Sequence, residues 1–272
     1  MSEHGSAMGA PALVFRDIQF SYAGHTGGAP ALDGATLEVA AGRITGLVGP
    51  NGCGKSTLLR AADALVAPSA GEVLVAGSGG ELAPVADLTS TERAGAIALL
   101  MQIHRTPSMT VENLVMCGRY THLGAFGRAS ARDRAIVEEA MDAAGVLALA
   151  RKPARSLSGG ERQRAFIAMA LAQQARVLLL DEPTTFLDPR AARDVMALVA
   201  RLVRERGLTV LAVLHDVDLA LRTCEDIAVM EAGRVVDAGP ARAVLARGAI
   251  QHVLGVEIER HDGPHGPSYA VF

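Results

Sequence analysis

The consecutive residues Gly49-Pro50-Asn51-Gly52-Cys53-Gly54-Lys55-Ser56-Thr57 fit a phosphate-binding loop with no mismatch. Glycines let the backbone curl so that successive N–H groups point inward at a polyphosphate, and a helix starting near Lys55 adds its positive end. In that arrangement Lys55 reaches the β and γ phosphates and Ser56 ligates magnesium. Further along, Val177-Leu178-Leu179-Leu180-Asp181-Glu182 is an apolar run closed by two carboxylates. At the end of a strand Asp181 can hold magnesium directly or through water, and Glu182 can poise an attacking water as general base. A third motif, Leu157-Ser158-Gly159-Gly160-Glu161, runs on through Arg162-Gln163-Arg164 into a helix. Ser158 and the N–H groups of the two glycines make a second anion site at a helix start. Two phosphate-reading loops in one chain make sense when the second serves a nucleotide held by another copy, which implies a head-to-tail pair.

These residues need a particular scaffold. Strand signals lie at residues 12–22, through Val14, Ile18, Phe20 and Tyr22, and at 35–40, where Leu37 and Val39 alternate with polar neighbours. Residues 43–48 lead into the glycine-rich loop and 55–65 suit a helix, which is the strand, loop and helix order that a phosphate loop requires. Residues 107–172 read mostly helical; within them 131–144 carries Ile136, Val137, Ala140 and Met141 at helical spacing, with Gly145 as a stop. Strand and helix then alternate at 177–180, 191–206, 208–214, 217–224 and 227–230, predicting a largely parallel sheet with helices on its faces. Gly233, Arg234 and Gly239 punctuate short strands, residues 1–11, 23–30 and 77–80 read as flexible, and the chain past Gly263 reads as loop.

Composition narrows the classes. The 272 residues carry 26 Lys plus Arg against 29 Asp plus Glu, a net charge of −3, which argues against a general nucleic-acid binder. Half the residues are hydrophobic, but much of that share is alanine, and no apolar run reaches the roughly 20 residues of a spanning helix. The apolar stretch at 165–180 is interrupted by Gln173, Gln174 and Arg176. No secretory signal opens the chain. The cysteines, Cys53, Cys117 and Cys224, are odd in number and far apart, which fits a reducing compartment rather than a disulfide framework. Cys53 sits at a helix start beside Lys55, where positive charge should lower its pKa; it reads as a reactive thiol or as an inert small filler. Cys117 and Cys224 read as core residues.

With these motifs in hand, nearly the whole chain resembles the ATP-binding cassette family. Gln102 falls where that family places a magnesium-sensing glutamine, and Phe186-Leu187-Asp188 matches its dimer-contact loop, with Phe186 standing where a small residue is common. His215 matches its γ-phosphate-reading switch histidine, and Tyr22 the aromatic stacked on adenine. The stretches 110–115, 118–124, 162–173 and 183–188 are similar to the importer subfamily serving iron siderophores, haem and cobalamin. Phe166 and the pair Met169-Ala170 are most similar to its ferric-siderophore branch.

The resemblance implies an α/β fold: a phosphate-loop NTPase core with a largely parallel sheet, an N-terminal antiparallel β subdomain and a helical subdomain. One cassette domain would span 1–272, with a β-rich part at 10–100, a mainly helical part at 103–172, a returning α/β core at 173–239 and a C-terminal extension at 240–272. ATP and Mg2+ are the implied cofactors. Glu182, His215, Gln102 and Lys55 would act in hydrolysis; Ser56, Gln102 and Asp181 would hold the metal. Tyr22, residues 49–57, Ser158, Gly159, Gly160, Glu161 and Asp188 would bind nucleotide. Implied partners are a second copy, integral membrane permease subunits and, indirectly, an extracytoplasmic substrate-binding protein, with no nucleic acid, at the cytoplasmic face of the inner membrane. His104, Arg105, Met109 and 118–124 are the candidate permease contacts, or else part of a plain solvated helical lobe. Rival readings are a haem, cobalamin or other metal-chelate importer, a soluble cassette ATPase in translation or DNA repair, and a phosphate-loop kinase, which leaves residues 157–161 without a purpose.

Overall fold

The computed structural model describes residues 10–22, 29–102, 106–123, 127–263 and 266–272. Its strands are β1 (Pro11–Phe20), β2 (Leu32–Ala40), β3 (Ile44–Val48), β4 (Ala70–Ala76), β5 (Leu82–Pro84), β6 (Ile97–Leu100), β7 (Val177–Asp181), β8 (Thr209–Val213), β9 (Asp226–Glu231), β10 (Arg234–Pro240), β11 (Ile258–Gly263) and β12 (Gly266–Val271). Its α-helices are α1 (Lys55–Ala62), α2 (Ser90–Ala96), α3 (Val111–Met116), α4 (Ala131–Ala143), α5 (Gly159–Ala172), α6 (Pro189–Arg206), α7 (Val217–Thr223), α8 (Ala241–Arg247) and α9 (Ala249–Leu254).

A six-stranded sheet ordered β10-β9-β3-β8-β7-β6 forms the centre. All of its strands run parallel except β10, which pairs antiparallel with β9. Alternation along a strand sends successive side chains to opposite faces. Leu178, Leu180, Val210 and Ala212 therefore enter one core with Val115, Ile167 and Val199 from the helices. Val177, Leu179, Leu211 and Val213 enter the other, which α1 and the antiparallel sheet β2-β1-β4-β5 close. Burial on both faces explains why these strands read as unbroken apolar runs. The sequence interval 10–100 is shared between the sheets, because β3 and β6 belong to the central one.

Helix boundaries follow local chemistry. Asp188 caps α6 by accepting from the N–H groups of Arg190 and Ala191, Pro189 opens the helix, and Gly207 closes it at φ 65°. The helix at 55–65 is shorter than expected: it stops at Ala62, and Ala64 is left-handed at φ 54°. The helical interval 107–172 is interrupted by a 3-10 segment, Cys117–His122, pressed against α5. Its buried Arg119 donates to Asp133 at 3.1 Å and to the Ala172 carbonyl at 2.8 Å, while Gln173 donates to the Ala94 and Ile97 carbonyls. The segment is thus fastened to the far end of the helix that Ser158 opens.

The glycine-rich stretch at 77–80 forms the turn between β4 and β5, which pair antiparallel. One expectation needs correction. Residues 266–271 are not loop: β12 pairs with β11 in register from Gly263↔Gly266 to Ile258↔Val271. Its anchors are distant in sequence. Tyr269 is buried, and its N–H donates to the Asp218 carboxylate on α7 at 2.7 Å. The flexible reading of 23–28 and the contact candidates His104, Arg105 and Gly124 lie outside the described residues, as does most of the N-terminal segment.

Candidate functional site

The phosphate-loop residues connect β3 to α1 at the carboxyl end of the parallel strands, where open α/β sheets place their ligand crevice. Gly54 precedes α1 at φ 108°, and a side chain there would meet the Ala31 carbonyl at 2.3 Å, so the turn requires glycine. Lys55 is buried, and its ammonium donates to the carbonyls of Gly49 at 2.7 Å and Pro50 at 2.9 Å. Its third donor faces Cys53 Sγ at 3.9 Å, a weak acceptor that an anion cradled by the loop would replace. A cavity of about 540 Å³ opens here, bounded by Asn51, Gly52, Lys55, Ser56, Tyr22 and Glu182.

The two carboxylates at the end of β7 have different surroundings. Asp181 is buried and accepts from the Ser56 hydroxyl at 2.8 Å; burial raises its pKa, partly offset by that hydrogen bond. Glu182 has a left-handed backbone at φ 54°, a conformation that costs a non-glycine residue on the order of 1–3 kcal/mol. Three side chains hold its carboxylate. His215 Nε2 donates to Oε1 at 2.6 Å, while Gln102 Nε2 at 2.8 Å and Thr185 Oγ1 at 2.9 Å donate to Oε2. Burial pushes this carboxyl up, but the hydrogen bonds from His215 and Thr185 and the positive charge of Lys55 hold it below the usual range. A base so held stays ionised at neutral pH and has a fixed direction.

The Ser158 loop lies elsewhere. Ser158 caps α5 through a reciprocal box: its Oγ accepts from Glu161 N at 3.3 Å, and its own N–H donates to Glu161 at 2.8 Å. Hydrogen bonds from Ser158 hold the Glu161 carboxyl below its usual range. The loop borders a cavity of about 280 Å³ with Phe186, Leu187 and Asp188, and that cavity shares no lining residue with the phosphate-loop cavity.

A profile described as ABC transporter matches residues 32–185, more than half of the chain. The chain belongs to the ABC transporter family. The ferric enterobactin transport ATP-binding protein FepC of Escherichia coli (strain K12) is 40% identical over 230 residues, covering 84% of this chain and 83% of that protein. The hemin import ATP-binding protein HmuV of Streptomyces coelicolor is 42% identical over 239 residues, covering 86% and 81%. A dimeric ATP-binding cassette in a post-hydrolysis state, bound to ADP and Pi, superposes with a TM-score of 0.71 at 28% identity over 85% of this chain and 99% of that one. This cassette is accordingly a nucleotide-binding ATPase of that family, with the α/β core and antiparallel β subdomain described above.

The cassette's remaining candidates divide. Tyr22, at the rim of the larger cavity, meets the Thr57 hydroxyl at 3.2 Å and accepts from Arg60 at 3.1 Å. Gln102 bonds to Glu182, so it joins the carboxylate cluster from the end of β6. Of the two readings of Cys53 the inert filler fits: the residue is buried, and burial raises its thiol pKa, against the lowering expected from the neighbouring Lys55 charge. Burial takes Cys224 up to about 12. Cys117, expected in the core, is only half-buried. Met109 is half-buried against the helical core, while Tyr120 is exposed.

Arg60 and Thr185 were not legible as site residues. Arg60 lies three positions after Thr57, a spacing that puts both on one face of α1, so both reach Tyr22. Thr185 follows Glu182 by three positions in a turn closed by the Thr185 N–H to Glu182 carbonyl bond at 3.3 Å. In each case the spacing was visible, but the partner was not.

Proposed function

We propose that this chain is the ATP-hydrolysing subunit of an importer for an iron chelate, a ferric siderophore in the first instance, working as a head-to-tail dimer beneath a membrane permease. The observation that carries the catalytic part is the Glu182 carboxylate, held by donors from three separate segments at the edge of the phosphate-loop cavity. Glu182 takes a proton from the attacking water, Lys55 and the loop N–H groups bind the phosphates, and His215 and Gln102 keep the base in place. Tyr22 offers its ring to the adenine.

Magnesium fits the residues present. Ser56 and Asp181 offer hard oxygen donors 2.8 Å apart at the phosphate end of the cavity, and magnesium is commonly held by one or two protein oxygens together with substrate phosphates and water. When bound it neutralises charge on the phosphates. Gln102 is the third candidate ligand, through its amide oxygen.

The dimer reading accounts for two anion loops in separate cavities: Ser158, Gly159 and Gly160 of one copy close on nucleotide held by residues 49–57 of the other, with residues 186–188 between. No α-helix among the described residues is long and apolar enough to cross a membrane, which suits a peripheral subunit at the cytoplasmic face. The permease would touch Met109 and the segment around Tyr120, and cargo would reach it through an extracytoplasmic binding protein. The relatives named for enterobactin and for hemin both point to iron chelates, and Phe166 with Met169-Ala170 favours the siderophore; haem is the second reading, favoured by the hemin relative.

Isolation of the tagged chain from native membranes in mild detergent, with mass spectrometry of what accompanies it, tests the reading. Recovery with a polytopic membrane protein is expected, and uptake of labelled ferric siderophore against labelled haem then separates the cargoes. Recovery with ribosomes or DNA-repair proteins alone would remove import.

A further inference from the structure

His215 is exposed, and it stands directly ahead of α7, whose cap Asp216 accepts from the Leu219 N–H at 3.0 Å. Its imidazole therefore sits where the first turn of α7 puts it. A helix of seven residues is too short to persist by itself. Val217, Leu219, Ala220 and Leu221 seat α7 on the core, and Asp218 joins it to the C-terminal hairpin. Asp218 Oδ1 accepts from the Tyr269 N–H at 2.7 Å, a charge-assisted bond, while Oδ2 faces Arg222 at 3.5 Å.

The hairpin depends on that joint in turn. A two-stranded ribbon is marginally stable alone, and residues 259–263 of β11 are exposed throughout. Tyr269 is the buried residue of β12 and enters the same core as Leu219 and Leu221. At its open end the ribbon closes through Glu257, whose N–H and carbonyl pair with Phe272 at 3.2 and 3.0 Å. Glu257 lies just beyond α9, and Val253 and Leu254 at the end of α9 border a cavity of about 290 Å³ together with Leu214 and His215. The residues after α8 thus reach the His215 turn by two routes, through α7 and through α9.

We propose that α9 and the β11-β12 hairpin form a brace that positions His215 for hydrolysis, with Asp218 and Tyr269 as its positioning residues. The Asp218–Tyr269 bond fixes the first turn of α7, that turn fixes the imidazole, and the imidazole holds the Glu182 carboxylate through its 2.6 Å bond. The inference rests on the reading of Glu182 as the base and of His215 as the residue that keeps it in place. Neither Asp218 nor Tyr269 borders the phosphate-loop cavity, so nucleotide binding does not depend on them directly. Loosening the brace leaves the loop that grips ATP intact and lets the histidine drift from the base, which separates its effect on turnover from any effect on binding.

The test is steady-state phosphate release by the full chain with MgATP, read as kcat and KM. Asp218→Ala and Tyr269→Ala should each lower kcat by about tenfold with KM nearly unchanged, inside the roughly 10²-fold that a displacement of about 1 Å set off far from the chemistry can cost. Asp218→Asn keeps an oxygen to accept from the Tyr269 N–H, and Tyr269→Phe keeps the ring in the core, so both should return kcat close to the parent. The deciding chain joins Asp218→Ala to His215→Ala: a brace that acts only through the histidine gives the pair the kcat of His215→Ala alone. Losses that multiply in the pair would make the hairpin a general support of the fold and overturn the proposal. Parent kcat in Asp218→Ala beside a lowered kcat in His215→Ala would overturn the brace and leave the histidine its role. Parent kcat in His215→Ala would remove that role, and the brace with it. Melting temperature shows whether Tyr269→Ala folds; if it does not, Asp218→Ala, at a half-buried carboxylate, decides.

Discussion

His215 Nε2 donates to Glu182 Oε1 at 2.6 Å, joining the turn after β8 to the residue that follows β7. The two strands are hydrogen-bonded neighbours, with Asp181 opposite Val213. Residues 33 apart in sequence are thereby placed at the same end of adjacent strands, and the geometry between them needs no flexible loop.

That bond predicts where the acid limb of activity lies. The Glu182 carboxyl is held low against its burial chiefly by the His215 hydrogen bond. A base works only when deprotonated, so turnover falls as pH drops through its pKa. His215→Ala should leave burial unopposed by that donor, and the acid limb of kcat against pH should move upward. A limb that stays in place, measured by phosphate release at saturating ATP, would disconnect the histidine from the base.

Glu182→Gln preserves the size of the side chain and its place between Gln102 and Thr185, but removes the proton acceptor. ATP binding should persist while hydrolysis falls by about 10²–10⁴, the range typical of a lost general base. Lys55→Ala should instead weaken binding itself, since the buried ammonium organises the loop. Nucleotide titration alongside phosphate release separates the two effects.

On the head-to-tail reading Ser158 would have two tasks that substitution can part. Alanine removes the cap of α5, a loss of about 1 kcal/mol. Aspartate caps as well as serine, so Ser158→Asp should melt close to the parent, yet its negative charge would face the partner's phosphates and ATPase activity should fall at least about tenfold. Comparable melting and comparable turnover together would mean that the loop reads no phosphate.

Among the thiols, Cys117 should react first with maleimide at neutral pH, because it alone is not buried. Cys53 should label slowly, with or without MgATP, its thiol raised by burial. Rapid Cys53 labelling that ATP suppresses would restore the reading of an activated thiol. Mass spectrometry of the modified peptides gives the order.

The cores and the motifs were legible for a common reason: both depend on short-range pattern. Apolar strands at 177–181 and 209–213 announce themselves because both faces are buried, and the glycine loop because its backbone cannot tolerate side chains. The C-terminal hairpin was not legible, since β12 is only partly apolar and is secured by Asp218 on α7. For Cys53 the sequence pointed to a lowered thiol pKa while burial raises it, because the charge of Lys55 is a local fact whereas desolvation is a property of the whole surroundings.

The family, the parallel sheet, the phosphate loop, the two carboxylates at the end of β7 and the Ser158 cap are legible along the chain, because glycine turns, helix caps and alternating burial are written within a few residues. Folding alone brings Gln102, Thr185 and His215 onto one carboxylate, joins Arg60 and Thr57 at Tyr22, and sets the phosphate loop and the Ser158 loop on different cavities. Those relations depend on strand order and on which side chain reaches across, and no spacing along the chain encodes the order in which β3, β8, β7 and β6 lie side by side.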